Sequence, residues 1–377
     1  MKKFATTAII SGLAALAGQA HAQSTVTLYG VVDTGLMYIH NSEGHSTQIA
    51  MASGAQSGPR FGLKGTEDLG GGLKAIFQIE NGFNSTNGKL GQGSRMFGRQ
   101  AYVGLTGNGW GTVTLGRQYD PTVDLVQPVS GDNWLGGFFT SPGDIDNADN
   151  SIRISNAVKW VSPNWGGLQV EALYSFGGVA GAVGSGQTYS GGASYSNGAL
   201  SLAAAYLHID NGNGALSIRG TTSADSLFNS SVNNAYASAR SINITRAGGN
   251  YVLGQFTLGD YYSFSQYNAD AKSTFANSEK YHNFEVYSVW QVTPALQGQI
   301  GYDYMTSHGD SSAKQHTVSI GADYFISKRT DVYTVFSYAK ASGQNGLGAA
   351  QAVIGSNDVD AGSDKQGLVL VGLRHKF

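Results

Sequence analysis

Alternation with a period of two dominates this chain. In LQVEALYSF (168–176), Leu168, Val170, Ala172, Tyr174 and Phe176 share one parity; Gln169, Glu171 and Ser175 share the other, with Leu173 as the exception. LQGQIGYDY (296–304) sets Leu296, Ile300, Tyr302 and Tyr304 against Gln297, Gln299 and Asp303. QHTVSIGADY (315–324) sets Val318, Ile320, Ala322 and Tyr324 against Gln315, Thr317, Ser319 and Asp323. A period of two places such sets on opposite faces of a β-sheet. A soluble sandwich and a membrane barrel both show it, so other features must decide.

The N-terminus supplies one. Lys2 and Lys3, an apolar stretch from Phe4 to Ala17 and the small-x-small site Ala20-His21-Ala22 make a secretory signal peptide over residues 1–22. Residues 23–377 then form one domain. Composition supplies the second. Charged residues are 13%, against roughly 25% in a typical soluble protein. Gly numbers 54 and Tyr 20, and Gly alone is about twice its usual share of roughly 7%. No stretch beyond the leader has the ~18 consecutive apolar residues of a membrane helix. Export, few charges, many aromatics and no long apolar run point to a transmembrane β-barrel. The net charge of −2 gives no basic footprint for nucleic acid. With no Cys, disulfide and thiol chemistry are excluded.

Turn chemistry gives a strand count. Tight turns stand at 68–72 (DLGGG), 107–111 (GNGWG), 163–167 (PNWGG) and 196–199 (SNGA). Fainter ones stand at 253–255 (LGQ), 293–295 (TPA) and 327–330 (SKRT). Between neighbours there is room for two strands of roughly 10 residues and one longer connection. Outer-membrane barrels have short periplasmic turns, long external loops and an even number of strands. Seven short turns plus closure of the first strand, VTLYGVVDTGLMYI, onto the last, GLVLVGLRHKF, predict sixteen strands. The fold class is therefore all-β: a transmembrane antiparallel barrel wide enough for an aqueous lumen.

The segments TVTLYGVVDTGL (25–36), RFGLKGTEDLGGGLKAIFQIENGF (60–83), GRQAYVGLTGNGWGTVTLGRQYD (98–120), NAVKWVSPNWGGLQVEALYSF (156–176) and the closing VGLRHKF resemble the trimeric general porins of Gram-negative bacteria, in their β-proteobacterial branch. The resemblance runs from Gln23 to Phe377. It implies a homotrimer in the bacterial outer membrane, amid outer-membrane lipids and lipopolysaccharide, passing small polar solutes and ions by passive diffusion. It also implies that Phe377, with Leu373 and Val371 on the same parity, is the assembly signal read by the barrel-insertion machinery. His375 interrupts that apolar run.

The resemblance further implies that the third external connection, about 120–150, folds inward and narrows the pore. Family members often carry Pro-Glu-Phe-Gly-Gly at its tip; here Asn133-Trp134-Leu135-Gly136-Gly137 stands in that place. The glycines remain, the acid does not, and Asp132 is its nearest replacement. Asp120 and Asp124 lie further back, while Asp144, Asp146 and Asp149 are expected near the vestibule. On the opposite wall the match places a basic ladder: Arg60, Arg99 and Arg153, with Lys64 beside Arg60. Parity sets Arg60 and Lys64 against Phe61 and Leu63. It likewise sets Arg153, Ser155 and Lys159 against Ile152, Ile154, Val158 and Trp160. Arg99 shares parity with Val103 and Leu105, so its place rests on the resemblance. A ladder of fixed cations at the throat implies a preference for anions. The segments 178–190, 211–240 and 343–365 read as flexible external loops, and the resemblance implies that 84–94 is an inter-subunit latch. The alternative is a substrate-selective channel on the same barrel, for which Trp134, Phe138 and Phe139 would supply an aromatic lining. No enzyme is expected. There is no Gly-x-Ser-x-Gly elbow and no His pair at metal-ligand spacing, so neither cofactor nor metal is implied.

Overall fold

The computed structural model describes residues 24–210, 225–355 and 359–377; the leader lies outside them. Sixteen antiparallel strands follow one another around a closed ring: β1 (Thr25–Ser42), β2 (His45–Ser53, resuming after a break as Arg60–Gly70), β3 (Leu73–Gly82), β4 (Gln100–Gly107), β5 (Gly111–Gln118), β6 (Ile154–Val161), β7 (Leu168–Ser175), β8 (Thr188–Asn197), β9 (Leu200–Asp210), β10 (Ser241–Leu253), β11 (Phe256–Asn268), β12 (Glu279–Thr293), β13 (Leu296–His308), β14 (Lys314–Phe325), β15 (Thr330–Ser342) and β16 (Lys365–Lys376). Each pairs with its chain neighbours. β1 closes the ring on β16, from Val31 opposite Lys376 to His40 opposite Gly367. Among the described residues no open edge remains in this sheet. All seven turns expected from the sequence join adjacent strands, including the faint one at 253–255 between β10 and β11.

Alternation maps onto burial as expected. Ile300, Tyr302, Val318, Ile320 and Tyr324 are exposed on the outer face, while Gln299, Asp303, Thr317, Ser319 and Asp323 are buried on the inner one. On the closing strand Val369, Val371, Leu373 and Phe377 all face outward. Phe377 and Gly30 exchange two backbone hydrogen bonds of 3.0 Å. A side chain at Gly30 would meet the Phe377 ring at 2.4 Å, so the ring needs that glycine. His375 is also outward, and its Nδ1 hydrogen-bonds Thr330 Oγ1 at 2.9 Å. A polar pair near the periplasmic end explains what the parity left odd.

Two expectations are corrected. Ile152 and Ile154 are buried on the inner side, not turned outward with Val158 and Trp160. Asn156 adopts φ +55°, and the β5–β6 register shifts between Gly116 and Gln118. A bulge of this kind flips the parity of what precedes it. The described parts of 211–240 and 343–365 are also not loose loops. Leu227, Phe228, Val232 and Tyr236 form an apolar cluster with Ile145, Ile152, Leu207, Ile209 and Ile242. Ala350, Ala352 and Ile354 pack with Phe138, Ile39 and Leu368. Ser, Ala and Gly composition suggested flexibility, but the scattered Leu, Phe, Val and Ile carry the packing.

Candidate functional site: a charged chamber between the third long loop and the wall

The connection between β5 and β6 (119–153) is a chain of short helical turns, at Thr122–Val126, Gln127–Val129, Asp132–Leu135, Gly136–Phe139 and Pro142–Asp144. Inner-face side chains hold it. Tyr287 Oη donates to Val129 O at 2.7 Å, Tyr261 Oη to an Asp146 carboxylate oxygen at 2.6 Å, and Tyr267 Oη to Ile145 O at 2.6 Å. Arg246 donates to Asn147 O at 3.1 Å. These clamps come from β10, β11 and β12, so the segment lies against that part of the inner face.

Its tip is seated by the glycine pair. Gly136 has φ +72°, and a Cβ there would lie 2.3 Å from Ala55 O. Gly137 N donates to the same oxygen at 3.0 Å. Ala55 lies in the 54–59 break of β2, which Asp33 on β1 organises. Its carboxylate accepts from Gln56 N at 2.9 Å, Ser57 N at 2.7 Å and Tyr333 Oη at 2.5 Å. Only glycine tolerates that backbone and that approach.

Between loop and wall is a chamber of about 1030 Å³. Arg60, Arg99 and Arg153 all line it. Arg99 and Arg153 lie over the Tyr119 ring at 5.8 and 5.9 Å. Arg99 precedes β4, so strand parity does not govern it. Lys64 is outside the chamber; it is exposed, with its ammonium 5.4 Å from the Tyr29 ring centroid. Sequence reasoning missed Glu80, which sits among the cations. It accepts from Arg99 Nε at 2.8 Å and Tyr29 Oη at 2.7 Å, and lies 3.9 Å from Arg60 Nε. Its signal was available: Gln78 and Glu80 share parity on β3, opposite Lys64 and Gly62 on β2.

The loop acids divide. Asp124, Asp132 and Asp149 line the chamber. Asp124 is ion-paired with Lys159. Asp132 accepts from Ser130 Oγ and, at 2.7 Å, from Gln127 Nε2. Burial pushes its carboxyl up to about 6, against the lowering effects of Ser130, Arg246 and Gln127. Asp120 is corrected: it is fully buried and accepts from Thr122 N at 2.8 Å and Thr122 Oγ1 at 2.6 Å, bracing the first turn. Asp144 and Asp146 are also buried and do not face a vestibule. Asp144 accepts from Asp149 N at 2.8 Å and Asp146 from Ser141 Oγ at 2.6 Å. Short side chains beside Ser, Thr and Asn in a tight loop favour such local backbone bonds. Trp134 lines the chamber, but Phe138 and Phe139 are core residues, so the aromatic lining is not assembled. Asp225, in the connection between β9 and β10, reaches back to the wall. It binds the wall residue Arg117 at 2.5 and 3.2 Å.

A closed barrel with an apolar outer face, a polar inner face and a charged chamber between wall and loop defines an outer-membrane channel. A Gram-negative porin family model matches residues 5–344, and the chain belongs to that family. An outer membrane porin of Bordetella pertussis is 31% identical over 97% of each chain. The anion-selective porin of Comamonas acidovorans superposes with a TM-score of 0.75 at 24% identity, over 94% of this chain and 100% of that one. The trimer form of OmpT from Vibrio cholerae gives 0.66 at 16% identity, over 94% and 99%.

Proposed function

We propose that this outer-membrane porin passes small hydrophilic solutes and ions with a preference for anions, and that loop 119–153 forms the constriction. The carrying observation is how the charges of the chamber are paired. Its lining holds five cations (Arg60, Arg99, Arg153, Arg374, Lys376) and five acids (Glu80, Asp124, Asp132, Asp149, Asp323), so the count alone is neutral. Pairing breaks the tie. Asp323 is matched by Arg374 at 3.3 Å, and Asp124 by Lys159 outside the lining. Three guanidiniums, which stay charged at any working pH, and Lys376 then face Glu80, Asp132 and Asp149, and this cation excess widens as Asp132 loses charge below about pH 6. An excess of one sign at a narrow site selects ions of the other. The anion selectivity named for the Comamonas relative is in keeping with this reading. We further propose a homotrimer, as in the trimer form of the Vibrio relative, and export through a cleaved leader ending at Ala22. N-terminal sequencing of the membrane form should begin at Gln23.

The test is planar-bilayer recording of the purified protein. The zero-current potential across a tenfold salt gradient should show chloride favoured over potassium. Replacing Arg60, Arg99 and Arg153 together by Ala should lower that ratio while conductance holds or rises. An unchanged ratio would remove the ladder from the mechanism. Saturating current with one solute would instead favour a substrate-selective channel.

A further inference from the structure

Near the loop tip, the chamber has one aromatic ring that nothing else engages. Tyr29 and Tyr119 line the chamber but are occupied. Tyr29 Oη donates to Glu80 at 2.7 Å, and Arg99 and Arg153 lie over the Tyr119 ring at 5.8 and 5.9 Å. Phe325 lines it at the end of β14, beside a periplasmic turn. Trp134 is different. It is half-buried, with part of its indole packed against Leu135, Phe139, Tyr287 and Val289. The rest meets the chamber from the loop side, where Val123 and Pro128 also line it.

Two ties hold that indole close to the wall guanidiniums. Gly137 N donates to Ala55 O at 3.0 Å, so the tip that carries Trp134 is docked on the 54–59 segment. Gly58 of the same segment accepts from Arg60 Nη1 at 3.0 Å, and a Cβ on Gly58 would lie 3.2 Å from Arg99 Nη1. From Ala55 to Gly58 the chain spans at most about 10 Å. On the other side, Gln127 Nε2 donates to Asp132 at 2.7 Å and to Ala148 O at 3.1 Å. That ties the turn before Trp134 to the segment leading into Arg153. Arg153 has bonding capacity left. It is 8% exposed, its Nη1 reaches Ser151 O at 3.4 Å, and its Nε is buried with no hydrogen-bond partner in the protein. A buried donor of this kind is costly unless an acceptor meets it, and a carboxylate does so with a charge-assisted bond. Of the nearby acids, Glu80 accepts from Arg99 Nε, and Asp132 is turned to Ser130 and Gln127. Asp149 shares the lining.

We propose that the chamber holds aromatic carboxylates in preference to other small anions, with the carboxylate on Arg153 and Arg99 and the ring against Trp134. This deepens the anion-channel reading and rests on it. The two ends act differently. The guanidiniums draw any anion, chloride included. The indole adds a ring contact that chloride and acetate cannot make. An offset or edge-to-face aromatic pair contributes a factor of roughly two to ten, and the apolar area removed from water adds to it. Trp134 is then a specificity-determining residue for passage, distinct in its effect from the arginine ladder. Benzoate, with one carboxylate and one planar ring, is the simplest probe of the class.

The experiment is bilayer recording of the purified porin in chloride, with benzoate, acetate or benzyl alcohol added at neutral pH. Benzoate should halve the chloride current at a concentration at least fivefold below that of acetate, and benzyl alcohol should not block in that range. Trp134→Leu should bring benzoate to within about twofold of acetate, while Trp134→Phe keeps the difference. The ratio of the two concentrations is taken within each protein, so a change of bore cancels. Trp165→Leu, in the periplasmic turn between β6 and β7, should leave both the ratio and the conductance as in the wild type. Benzoate and acetate blocking alike in a chloride-selective wild type would overturn the proposal and leave the anion reading standing. So would benzyl alcohol blocking as well as benzoate, or a Leu variant that keeps the full difference. A wild type that favours potassium before any carboxylate is added would refute the anion reading, and this proposal with it.

Discussion

Replacing Glu80 by Gln should sharpen anion preference. The carboxylate lies 2.8 Å from Arg99 and 3.9 Å from Arg60, on the chamber lining. Gln keeps an acceptor for Arg99 and removes one negative charge. A unit charge about 5 Å from a permeating ion in water is worth ~0.8 kcal/mol. A Debye length of about 10 Å at 0.1 M cuts that to ~0.5 kcal/mol. Anion occupancy then rises by a factor of roughly two and cation occupancy falls by the same factor. The chloride-to-potassium permeability ratio should therefore rise about fivefold. The zero-current potential in a salt gradient centred near 0.1 M measures it, with single-channel conductance as a check on the geometry. A ratio that stays within about 1.5-fold of wild type, or falls, at unchanged conductance would refute the reasoning. Glu80 would then be a buried brace outside the ion path.

Asp132 should give the channel a pH dependence. Its carboxyl, raised to about 6, neutralises as pH falls from 7.5 to 5, so anion preference should increase over that window and Asp132→Asn should remove that step. Because the folded value lies above the unfolded one, the same protonation makes the fold more stable as pH falls through 6 toward 4, which acid–base thermal melts can read. Gly136→Val forces a β-branched residue to φ +72° against Ala55 O; about 1–3 kcal/mol of local strain should unseat the loop tip and raise conductance. An unchanged conductance would show that the tip does not limit flow. Phe377→Ser should lower the amount of heat-resistant oligomer in the outer membrane far more than it lowers export to the periplasm, as fractionation would show.

The barrel was legible because membrane strands must satisfy their backbone bonds in a closed ring and still show alternate faces to lipid and water. That requirement writes itself into every segment such as 296–304. The wall arginines were reachable only with the help of resemblance, since Arg99 and Arg153 stand just outside β4 and β6, where alternation carries no information. Asn156 shows the limit of parity: one left-handed residue turned Ile152 and Ile154 inward. The fates of Asp120, Asp144 and Asp146 depended on local turn geometry that composition does not encode. Glu80 was a different kind of miss, since its parity was plain and only its crowded company among cations was hidden.

The break in β2 links two matters that otherwise look unrelated. The carbonyl that seats the loop tip, Ala55 O, is positioned by a segment hung on Asp33 of β1. Asp33 is itself tied to Tyr333 of β15, and β16 runs between those two strands. The tie therefore spans the join where the first strand meets the last. A chain whose ends have not met has no socket for the loop, so the seat of the loop tip is a property of the completed circle and not of any strand within it.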